Sequence, residues 1–186
     1  MNTLLWLSGL VDSASTAINR FLRWTILVIV FISAGNAVSR KFFDLSSNAF
    51  LEIQWYLFSA VFLLGAGYVF LRNDHVRVDV LSQRLTPSAR ALVDLAGIVF
   101  FLIPFCVFIV YQSTPIVAEA LRSGEISQNA GGLLRWPVYF LLPLGYVLLL
   151  VQSLSEAIKR LAFLLGIIAD PAPLSDPTGH DDVLGS

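Results

Sequence analysis

The sequence predicts an all-α integral membrane fold: four transmembrane helices, an N-terminal amphipathic helix on the membrane surface, and a short cytoplasmic interfacial helix. Three observations predict it. Of 186 residues, 56% are hydrophobic and only 13% charged, too few polar groups to cover a soluble domain of this size. Four charge-poor stretches reach the roughly 20 residues a helix needs to cross about 30 Å of hydrocarbon. Aromatic residues stand near the ends of the second and fourth, as expected where rings sit at headgroup level.

Residues 1–19 carry Leu4, Leu7, Val11, Ala14 and Ile18 at helical spacing, continued by Phe21, the pattern of an amphipathic surface helix. A cleaved leader is not expected, since no Lys or Arg precedes the apolar stretch and Ser8-Gly9 interrupts it. The membrane domain is expected over 20–160. Span one, about 21–40, has its charge-free part at Trp24 to Ser39 and reaches full length with a snorkelling Arg23. Span two, about 51–71, is clean from Ile53 to Leu71 and holds Ser59, Ala60, Gly65, Ala66 and Gly67, which permit close helix approach. Between spans two and three, Val78, Leu81 and Leu85 share one helical face among charges, which predicts the interfacial helix. Thr86-Pro87 reads as an N-cap followed by proline at the first helical position. Span three, about 92–115, contains Pro104 and Pro115 and is expected to kink or tilt. The loop from Glu119 to Arg135 must turn at Ser123-Gly124 and Gly131-Gly132, and span four follows at about 134–156. Residues 161–186 are expected to extend that helix or lie on the surface, then to form a disordered tail.

Basic residues set orientation. Arg20, Arg23, Arg72, Arg77, Arg84, Arg90, Lys159 and Arg160 flank one side, and Arg40, Lys41, Arg122 and Arg135 the other. The excess places both termini in the cytoplasm. A net charge of −1 with no basic cluster argues against nucleic acid.

The spans hold little that could carry chemistry. The only histidines, His75 and His180, fall in a loop and in the tail, so neither haem ligation within the bilayer nor a histidine-based triad is expected. The single cysteine, Cys106, reads as a small core residue. No catalytic residue, cofactor or metal site is therefore predicted. Glu52 is the one carboxylate that could serve ion coupling. The charge-free helix after it rises about 28 Å, which leaves Glu52 at the outer interface and favours a structural or partner-contact role. Trp55, Tyr56, Trp136 and Tyr139 read first as interfacial anchors. Arg72, Asp74, His75, Arg77 and Asp79 read as a solvated, ion-paired or headgroup-contacting loop face, with partner docking as the sharper reading.

The stretch Glu52-Ile53-Gln54-Trp55-Tyr56-Leu57-Phe58, continuing through Gly65-Ala66-Gly67-Tyr68 into Arg72-Asn73-Asp74-His75-Val76-Arg77-Val78-Asp79, resembles the small membrane subunit of tripartite ATP-independent periplasmic (TRAP) transporters, the DctQ-like family. Gly131-Gly132-Leu133-Leu134-Arg135-Trp136-Pro137 with Leu142-Pro143-Leu144-Gly145 resembles that family's approach to its fourth span, and the likeness covers about Arg20 to Arg160. The resemblance implies a non-catalytic subunit in a bacterial inner membrane. Its implied partners are a large multispan subunit that moves organic acids with sodium, a periplasmic solute-binding protein, and the lipid bilayer. The partner-interface candidates are Glu52, Gln54, Trp55, Arg135 and Trp136 on the outer side and Arg72, His75, Arg77 and Asp79 inside. The alternative reading is an autonomous small proton-coupled transporter that uses Glu52.

Overall fold

The structure, a computed structural model, describes residues 2–43, 48–72, 85–129 and 131–171. Helices α1 (Asn2–Phe43) and α2 (Asn48–Leu71) are followed by α3 (Pro87–Gly97), a π-helical turn (Ile98–Leu102), α4 (Ile103–Ser123) and α5 (Trp136–Leu164). Four helical segments are long and apolar enough to cross a membrane: Thr3–Phe43, Asn48–Leu71, Pro87–Ser123 and Trp136–Leu164. The predicted interfacial helix and most of the C-terminal tail lie outside the described residues.

The N-terminal segment and the first span form one continuous helix. At 42 residues α1 is about 63 Å long, roughly twice the hydrocarbon thickness. Its stripe pattern explains why it stays in one piece against the bundle. Ser8, Asp12 and Ser15 recur at helical spacing and turn toward α5, where Ser8 is buried, while Leu4, Leu7 and Phe21 face outward. Over this stretch the stripe of Ser8, Asp12 and Ser15 packs on α5, so one polar face of α1 is turned into the bundle.

Local chemistry sets the other boundaries. Thr86 accepts a hydrogen bond from the Ala89 N–H (3.3 Å) and Pro87 occupies the first turn of α3. Pro104 has no N–H to donate, and the turn before it widens, with the Ile103 N–H reaching back to the Ile98 carbonyl. The sequence marks the proline, and the accommodation is a π turn that keeps the helix continuous. Around Pro115, Ser113 and Thr114 donate to the Ile109 and Val110 carbonyls at 2.7 and 2.6 Å. α4 stops at Gly124, in the left-handed region (φ 62°). α5 ends in a Schellman motif at Gly166 (φ 72°), whose N–H donates to the Phe163 carbonyl while Ile167 donates to Ala162, both at 2.9 Å.

α5 is the central element, packing against α1, α2, α3 and α4, while α1 packs on α2 and α5. Close approach of α2 and α5 depends on Gly145, where a Cβ would lie 2.8 Å from the Leu63 Cβ and carbonyl oxygen. Gly67 faces Ser15 and Gln152, and Gly65 faces Leu22, at ordinary contact distance, so these two glycines of span two serve packing inside this chain. The distribution of side chains is that of a membrane bundle. Gln152, Ser153, Glu156 and Arg160 are buried, whereas Phe31, Phe62, Phe100, Phe101 and Tyr111 are largely exposed.

Candidate functional site

Two polar layers close the bundle at opposite ends. At the first, Glu52 in the opening turns of α2 is buried beneath the loop that joins α4 to α5. One carboxylate oxygen accepts from the Asn129 side-chain amide (2.7 Å) and the other from the Leu133 backbone N–H (2.8 Å). The loop is a small hairpin with an isolated bridge between Ile126 and Leu134. Ser127 N–H donates to the Leu133 carbonyl (2.9 Å) and Arg135 N–H to Glu125 (3.0 Å). Two glycines make this geometry possible. Gly131 adopts φ 72°, and a Cβ on Gly132 would meet the Ser127 Cβ at 2.6 Å. Tyr56 adds a bond to the Leu134 carbonyl (3.0 Å), and Arg135 pairs with Glu125 at 2.7 Å. The Glu125 carboxylate, followed by the Tyr139 hydroxyl, raises the Arg135 pKa above its ordinary value, so the guanidinium stays charged.

At the opposite end the layer is denser. Glu156 bridges Lys159 and Arg160, one turn away on its own helix. Arg160 also reaches Asp94 of α3 (3.3 Å), and Lys159 reaches Asp12 of α1 (3.0 Å). Gln152 donates to Asp12 (2.8 Å) and accepts from Ser15 (2.7 Å), while Ser155 donates to Asp12 (3.3 Å). Arg90 pairs with Asp170 beyond α5. This network ties α1, α3 and the segment after α5 to α5, and each buried charge has an opposite charge beside it.

Of the residues singled out from sequence, Glu52, Gln54, Trp55, Arg135 and Trp136 gather at the first end. Glu52 is consumed by the hairpin, Trp55 is 75% exposed, and Arg135 and Trp136 are half-buried. The side-chain nitrogen of Gln54 is buried without a hydrogen-bond partner among the described residues. The residue lines two shallow concavities of the α1–α2 face, one near Asn36 and Arg40, the other with Trp55 and Phe58. Arg72 is exposed at the far end of α2, and His75, Arg77 and Asp79 lie outside the described residues.

Sequence reasoning missed the second layer. Its signal was present in Gln152, Glu156 and Lys159 on one face of α5 and in Ser8, Asp12 and Ser15 on one face of α1. The contact of Glu52 with a loop 77 residues away had no local signal. Among the described residues no group of His, Cys, Asp or Glu could hold a metal ion.

No curated protein matches the chain significantly. A family model described as "Tripartite ATP-independent periplasmic transporters, DctQ component" matches residues 26–163, which include all of α2 to α4 and both ends of the Glu52 anchor. The chain belongs to the DctQ family, the small membrane subunit of TRAP transporters.

Proposed function

We propose that this chain is the non-catalytic scaffold of a sodium-coupled importer of organic acids, holding the large transport subunit in a bacterial inner membrane and helping the periplasmic solute-binding protein to dock. The observation that carries this reading is the fate of Glu52. Both its oxygens are occupied by the hairpin, and the one further carboxylate outside the two polar layers, Glu119, is exposed about one turn from the end of α4, so among the described residues no carboxylate lies at mid-span. A proton-coupled carrier working alone needs such a group on its path. The charge bias supports an orientation with the Glu52 end on the periplasmic side and both termini in the cytoplasm. In that orientation the hairpin presents Ile126 and Leu134, 60% and 47% exposed, on a rigid platform for the binding protein. Trp55 then offers a large exposed ring to the large subunit beside Gln54, and Arg72, His75, Arg77 and Asp79 supply contacts on the inner side.

Reconstituted vesicles test this reading. Uptake of organic acids under an inward sodium gradient is expected only when this chain, the large subunit and the binding protein are all present. Uptake by this chain alone under a proton gradient overturns it.

A further inference from the structure

Arg20 and Arg23 occupy an unusual position. Both are exposed on α1 beside Trp24 and Leu27, and neither has an acidic partner among the described residues. Their depth follows from the packing. Asp12 lies level with Lys159 in one polar layer, and Asn36 shares a concavity with Gln54, next to Glu52 in the other. Arg23 is eleven residues from Asp12 and thirteen from Asn36, about 16 and 20 Å along the helix. It therefore stands near the middle of the layer between them, with Arg20 one turn closer to Lys159.

The surface around the Lys159 layer is apolar. Leu92 and Val93, next to Asp94, are 59% and 60% exposed, and Leu161, next to Arg160, is also exposed. Hydrocarbon must thus reach that layer, and the two arginines fall inside it. The sequence alone sets them at the flank of span one, whereas packing sets them between the layers. Arg23 is too deep for its guanidinium to snorkel to the headgroups at either end. A cation exposed there needs a carboxylate brought by a neighbour.

The same stripe of α1 is polar where a lipid-facing helix is apolar. Ser13, Thr16 and Arg20 are exposed one after another at helical spacing before Trp24, Leu27 and Phe31 continue the face. α1 packs on α2 and α5, which leaves this stripe unpaired among the described residues.

We propose that the Arg20–Arg23 face of α1 docks a membrane helix of the large transport subunit and that the two guanidiniums pair with an acidic side chain of that helix within the bilayer. This inference rests on the subunit reading above and names the surface that serves it.

The test uses the assembled complex. The double variant Arg20→Leu/Arg23→Leu makes α1 more apolar and preserves its insertion. It is expected to lower recovery of the large subunit with the tagged chain by at least about tenfold, because a partner carboxylate is left unpaired. Arg20→Lys/Arg23→Lys keeps both charges and is expected to retain most of that recovery. A photoreactive side chain at position 24 should crosslink to the large subunit. Wild-type recovery with the leucine pair, or adducts with lipid alone at position 24, overturns the proposal while leaving the subunit reading intact. Failure of the wild-type chain to bring down a large subunit overturns both.

Discussion

Replacing Glu52 by alanine is expected to release the hairpin between α4 and α5, the surface proposed above to receive the binding protein. The Leu133 N–H and the Asn129 amide each lose a charged acceptor, and the loop keeps its own backbone bonds, the Tyr56 bond and the Arg135–Glu125 pair. Hydrogen exchange should read the change directly. Protection of the Leu133 amide is expected to fall by roughly ten- to a hundredfold, the scale set by a hydrogen bond to a charged group. Glu52→Gln keeps a carbonyl oxygen that can accept one of the two bonds, so its loss should be smaller. A proton-coupling carboxylate predicts another result: alanine and glutamine equally inactive, with the hairpin's exchange unchanged.

The second large effect belongs to the opposite layer. Arg160→Leu leaves the buried Glu156 carboxylate with Lys159 as its one remaining cation and is expected to cost about 2–3 kcal/mol of stability, less than the loss on breaking a buried pair that has no second partner. Glu156→Leu should be comparably harmful, since it removes the bridge between Lys159 and Arg160. Joining the two substitutions should cost less than their sum. Lys159 keeps Asp12, and Asp94, which is 24% exposed, can turn to water. Thermal unfolding of the detergent-solubilised chain measures all three variants. Additive losses, or single losses below about 1 kcal/mol, would show that the network adds little to the fold.

Much of this architecture was legible in the sequence because bilayer thickness acts on composition directly. Uninterrupted apolar runs mark α2 and α5, Thr86-Pro87 marks the start of α3, and Gly124 marks the end of α4. The π turn before Pro104 was not legible. Proline announces a lost hydrogen bond, but whether the helix kinks or widens is decided by neighbouring helices. α1 illustrates a different limit. Its apolar positions at helical spacing fit a surface helix and a packed helix equally well, and only the partners of Asp12 and Ser15 on α5 show which face turns inward. Glu52 was placed at an interface by counting residues. Its partners Asn129 and Leu133 depend on the return of α4, a tertiary contact that periodicity does not encode.

Membership of the DctQ family implies that this chain works as part of a larger assembly. The most direct test is the mass of the complex that the tagged chain brings out of its native membrane in mild detergent. A stoichiometric complex with one large multispan protein is the predicted result. Recovery of this chain by itself, as a monomer or homodimer across several detergents, would contradict it.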